Sequence, residues 1–148
     1  MFFNEFRYVE KCLFNYFSNV EQLKILKADL RVLRSAYDFQ SKSYTTEKIS
    51  SQPSSPVEKY LDKIQACENK IKNLECMTSG ITIFINVLNM RKNFKRNKEY
   101  KKLLKLFYFG GASLSEIALL LHISRSTLFR RRRELVKEIS NYLRMEND

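Results

Sequence analysis

The sequence predicts an all-α chain: a long helical coiled-coil or hairpin region followed by a C-terminal helix-turn-helix domain. Three observations carry this. Among 148 residues there are only three Gly and two Pro, too few breakers for a turn-rich sandwich or barrel. Apolar residues recur at alternating spacings of three and four along two long stretches. Near the C-terminus a capping box, a short apolar helix, a turn and a basic helix follow one another.

Residues 1–39 form the first element. Phe6, Val9, Leu13, Tyr16, Val20 and Leu23 make an apolar stripe, which continues through Leu26, Leu30, Leu33 and Tyr37 without Gly or Pro. That pattern predicts one long helix. Residues 40–56 hold six Ser, two Thr and both prolines, with no apolar period. Such a segment buries too little surface to offset its ordering entropy, and a flexible linker is expected.

Residues 57–92 form a heptad helix, opening at Pro56 after a Ser cap. Its seam runs Tyr60, Ile64, Cys67, Ile71, Leu74, Thr78, Ile81, Ile85, Leu88. An unbroken register of that kind argues for packing against another helix, within the chain or in a second copy. Gly80 is expected to weaken the seam by about 1 kcal/mol. A homo-oligomer, with a dimer favoured, is the expected assembly.

Residues 93–148 make the last domain. Tyr100, Leu103, Leu104 and Phe107 line one side of a basic helix, with Lys98, Lys101, Lys102 and Lys105 largely on the other. Gly110-Gly111 ends it. Ser113 and Glu116 form a capping box for a short helix whose inward face is Leu114, Ile117, Ala118 and Leu121. His122-Ile123 makes the turn, and Ser124 caps a second helix. On that helix Leu135, Ile139 and Tyr142 fall on the side of Leu128, while Ser126, Arg130, Arg133 and Lys137 fall opposite.

Charge points the same way. All of the net charge of +11 lies between Arg91 and Arg133, where thirteen Lys or Arg face only Glu99 and Glu116. A field so concentrated is relieved by a polyanion. The expected partner is double-stranded DNA. Ser126, Thr127, Arg130 and Arg133 are the expected base readers. Lys98, Lys101, Lys102, Lys105, Arg125, Arg131, Arg132 and Lys137 are the expected phosphate contacts.

The segment LSEIALLLHISRSTLFRRRREL resembles the helix-turn-helix of region 4 of bacterial sigma factors and the DNA-binding domains of serine recombinases. His122 stands where that family usually has Gly, in a turn position that is typically left-handed. The whole layout is similar to the ArpU/RinA-type regulators, small activators of late genes in phages and prophages of Gram-positive bacteria. The resemblance implies a sequence-specific transcriptional regulator. The alternatives are a small terminase-like DNA-packaging subunit and a sigma-like factor bound to RNA polymerase.

No enzyme is expected: the sequence holds no P-loop, no HExxH and no His/Cys/Asp constellation, so no catalytic residue, metal or cofactor is assigned. The odd trio Cys12, Cys67 and Cys76 makes no CxxC pair, which suits free thiols. No membrane span or signal segment is evident, and the expected location is cytoplasmic, on the nucleoid.

Overall fold

The computed structural model describes residues 3–44, 56–91 and 95–147, without the side chains of residues 43, 44 and 145–147. Among these residues the chain is helical between short turns and has no strand. The elements are α1 (Phe3–Phe14), α2 (Tyr16–Tyr44), α3 (Pro56–Met90), α4 (Lys95–Lys102), a π-helical turn (Leu103–Tyr108), α5 (Leu114–Leu121) and α6 (Arg125–Asn147).

The first helix of the sequence reading is divided at Asn15. There the side-chain amide and the backbone N–H both bond the Lys11 carbonyl, at 2.9 and 3.1 Å. A polar side chain intruding on the helical ladder is a known cause of such interruptions. Helix α2 then continues through Tyr44, so residues 40–44, expected as linker, are helical. Residues 45–55, the rest of that linker, lie outside the described residues, as do residues 92–94 where the last domain was expected to begin.

The chain forms two compact units, Val20–Glu75 and Met1–Asn19 with Cys76–Asp148. In the first, α2 and α3 run antiparallel and their seams meet within the chain. Leu26, Cys67 and Ile71 are buried, with Leu23, Leu30, Leu33 and Leu74 packed against them. The Cys67 thiol donates to the Leu26 carbonyl at 3.3 Å. Arg34 with Glu68 and Lys27 with Glu75 pair at the surface, at 2.8 and 3.3 Å, each contributing at most about 1 kcal/mol.

The second unit is the larger core. Val9, Cys12 and Leu13 of α1 and Ile81, Phe84 and Leu88 of α3 are buried in it, together with Tyr100, Leu103, Ile117, Leu128, Leu135 and Ile139. The lower half of the α3 seam therefore belongs to this core. Tyr16 and Thr82 share a hydroxyl hydrogen bond of 2.7 Å, and Phe84 meets Tyr142 edge-on with ring centroids 5.5 Å apart. At Gly80 a Cβ would stand 2.9 Å from Leu143 Cδ2 and 3.1 Å from its Cα. The glycine expected to weaken α3 is a point where α6 approaches it closely. Packing thus groups the chain differently from the expected boundaries: residues 93–148 share one core with α1 and the end of α3.

Candidate functional site

The site is built on α5, the turn after it and α6. Ser113 opens α5 in the predicted capping box: the Glu116 N–H donates to Ser113 Oγ at 3.2 Å and the Ser113 N–H to Glu116 Oε2 at 3.4 Å. Upstream, the π-helical turn ends as the Phe109 N–H bonds the Leu104 carbonyl at 2.9 Å and the Ala112 N–H the Leu106 carbonyl at 2.8 Å. The two glycines there have different jobs. Gly111 takes φ +72°, whereas a Cβ on Gly110 would sit 2.7 Å from the Lys105 carbonyl oxygen.

Helix α5 buries Ile117 and Ala118 and ends at His122, which holds the left-handed conformation at φ 55°, ψ 42°. Its N–H bonds the Leu119 carbonyl and the Ile123 N–H the Ala118 carbonyl, satisfying carbonyls that the helix end leaves open. Ser124 caps α6, its Oγ accepting from the Thr127 N–H at 3.2 Å and donating to Thr127 Oγ1 at 2.8 Å. Thr127, expected as a base reader, is thereby engaged in the cap. Ser126 lies exposed beside it, its hydroxyl 3.1 Å from Ser124 Oγ.

The four consecutive arginines of α6 divide into two pairs. Arg131 Nε donates to Glu99 Oε2 at 2.7 Å and its Nη1 to Glu134 Oε2 at 3.1 Å. Arg132 donates from Nε and Nη2 to both oxygens of Glu10, at 2.7–2.9 Å. Its guanidinium also stands over the rings of Phe6 and Phe107, 5.6 and 5.3 Å from their centroids. These two side chains were expected on DNA phosphates; half-buried on the packed side of α6, they belong to internal ion pairs instead. Arg130 and Arg133, with Arg125 and Lys137, are exposed and have no carboxylate partner among the described residues.

No protein family, curated protein or solved structure matches the chain.

Glu10 also accepts from the Tyr108 hydroxyl at 2.6 Å. Burial, and then that hydrogen bond, push the Tyr108 phenol well above its ordinary pKa. Burial works against the Arg132 charge, but its bonds to Glu10 and Tyr108 outweigh that and raise its pKa. Both guanidiniums are therefore fixed cations, locked to α1 and α4. Glu10, Glu99, Glu134 and Tyr108 are the supporting residues that the sequence reading missed. The available signal was weak: Glu99 is an acid within a basic run, and Glu10 follows a buried seam residue.

Among the remaining assigned residues, Lys98, Lys102 and Lys105 are exposed on α4 and the π-helical turn, and Lys101 is half-buried. Lys101 and Lys105 border a hollow of about 240 Å³ with Ile85, Leu88, Leu104 and Phe109. Arg133 and Lys137 line a second, open groove of about 610 Å³ with Phe3, Phe6, Phe129 and Arg132. Among the described residues no cluster of His, Cys, Asp and Glu could hold a metal ion, and no helix is long and apolar enough to cross a membrane. The arrangement offers hydrogen-bond donors and positive charge.

Proposed function

We propose that the protein is a sequence-specific double-stranded DNA-binding transcriptional regulator in which α5 and α6 form a helix-turn-helix and α6 enters the major groove. The observation that carries this reading is the division of the α6 cations. Arg131 and Arg132 are neutralised by internal carboxylates, while Arg130, Arg133 and Lys137 stand exposed without one. A helix selected only for solubility has no reason to pair its inner cations and leave Arg130, Arg133 and Lys137 together on its outer side.

Arg130 and Arg133 are suited to bidentate contact with guanine, with Ser126 beside them at the start of the helix. Arg125 stands at the N-terminus of α6, where backbone N–H groups and the helix dipole favour a phosphate. Lys98, Lys101, Lys102 and Lys105 hold the flanking backbone. The similarity of the sequence layout to ArpU/RinA-type regulators supports a phage or prophage role.

A second partner has its own support. Leu119 and Leu120 are 76% and 60% exposed on α5, an apolar pair suited to a protein contact such as RNA polymerase.

Selection of bound fragments from randomised DNA tests the main reading. A recovered motif, with affinity that falls on the order of a thousandfold between 50 and 200 mM salt for about six phosphate contacts, is the expected result. Recovery of no motif together with a flat salt response would remove it.

A further inference from the structure

The unit Val20–Glu75 is under-covered. Its buried apolar residues among those described are Leu26, Cys67 and Ile71. Two helices with so small a core are seldom stable unaided; helical bundles gain theirs by adding further helices to the open faces. The seam legible in the sequence is already closed, because Leu23, Leu26, Leu30 and Leu33 face α3. A second stripe lies on another side of α2. Ile25, Val32 and Phe39 are 54%, 68% and 73% exposed, at intervals of seven residues. Ala28 and Ser35, also exposed, fall between them at the alternate heptad positions. Isolated exposed apolar side chains are ordinary, but large ones repeating at the heptad period make a coiled-coil seam.

We infer that this stripe is a homodimer surface, on which α2 of a second copy packs parallel and in register. Two features select that occupant. First, β-branched Ile25 and Val32 occupy consecutive core positions of one type, as the a residues of two-stranded parallel coils do. Small Ala28 and Ser35 between them let the two backbones approach. Second, the flanking charges complement one another in this orientation. Parallel pairing brings Lys24 against the partner's Asp29, twice by symmetry, and Arg31 against the partner's Ala36. Among the described residues Lys24 pairs with Glu21 alone, an exposed contact at 3.4 Å that is weak enough to exchange. Under the DNA-binding reading, on which this consequence alone rests, pairing would tie two α6 helices together and raise the effective concentration of the second at a two-fold site.

The mass of the full-length protein in solution, measured by sedimentation over a concentration series, tests the surface whether or not DNA binds. Wild type should be a dimer. Val32→Asp should be a monomer with unchanged helix content, since that side chain is exposed and supports nothing in its own unit. Lys24→Asp and Asp29→Lys should each raise the dimer dissociation constant by roughly tenfold, from two like-charge contacts per dimer. The two variants mixed together should pair as well as wild type. A wild-type monomer at every concentration would give the stripe to a different chain or to none, and would overturn the inference. So would a dimer or ring that persists in Val32→Asp, or the absence of rescue on mixing.

Discussion

Glu10 and Arg132 lie 122 residues apart in the chain, yet the carboxylate of one receives the guanidinium of the other through both of its oxygens. Their side chains are 12% and 21% exposed, so the pair sits between a surface salt bridge and a buried one. Through it α1 holds the segment of α6 that carries Arg130 and Arg133.

Removing the carboxylate leaves a half-buried cation without its counter-charge. Glu10→Ala should cost about 2–4 kcal/mol in denaturant unfolding, somewhat below the figure for a fully buried pair. The double variant Glu10→Gln/Arg132→Met keeps an acceptor for Tyr108 and should recover most of that loss. A cost below about 0.5 kcal/mol for Glu10→Ala would class the pair with ordinary surface bridges.

Base readers and phosphate anchors should separate by specificity. Arg130→Ala should cost roughly 1–3 kcal/mol on the selected site and much less on random DNA. Lys101→Ala should weaken both about equally and lower the salt slope by about one contact. Titrations of both variants on both DNAs check this. Equal losses for Arg130→Ala would move it among the anchors and centre the recognition face on Ser126, Phe129 and Arg133.

A fragment of residues 93–148 should keep helical signal but lose cooperative unfolding. It lacks Val9, Cys12 and Leu13 of α1 and Ile81, Phe84 and Leu88 of α3, all buried against what remains. Losing so many core side chains at once, at about 2–5 kcal/mol for each large one, is comparable with the 5–15 kcal/mol typical of a whole domain. A sharp thermal transition in the fragment would show that 93–148 is self-sufficient.

His122 occupies a conformation that glycine reaches without a Cβ penalty. His122→Gly should therefore stabilise the protein by about 0.5–1 kcal/mol, and His122→Val should destabilise it by about 1–2 kcal/mol. Thermal midpoints of the two variants should shift in opposite directions. If both fell, the imidazole would have a role beyond filling the turn.

What could be read from the sequence was local. The capping box of Ser113 and Glu116, the left-handed turn at His122, and the seam of Leu23, Leu26 and Leu30 each depend on residues within a few positions of one another. Helix geometry alone relates them. The all-α class followed from the same short-range periods. The partners of Arg131 and Arg132 could not be read in this way. Helix geometry sets Arg131 on a different side of α6 from Arg130, but nothing near it in sequence shows that Glu99 of α4 is its partner. Membership of α1 in the α6 core was hidden for a related reason. Its stripe runs without a visible break into α2, and Asn15 gave no apolar signal of the change. The π-helical turn at Leu103–Tyr108 likewise depends on glycines further along the chain and has no period of its own.

That arrangement constrains how the protein is made. Helix α1 leaves the ribosome well before the α6 surface against which it packs is synthesised. At about 5–20 residues per second, α1 waits on the order of 6–25 s before Arg132 exists to meet Glu10. Contacts within Val20–Glu75 can begin to form in the meantime, because both its helices are complete earlier. Contacts of the smaller unit would then precede completion of the larger. An apolar helix left uncovered for that interval is the sort of segment that chaperones bind.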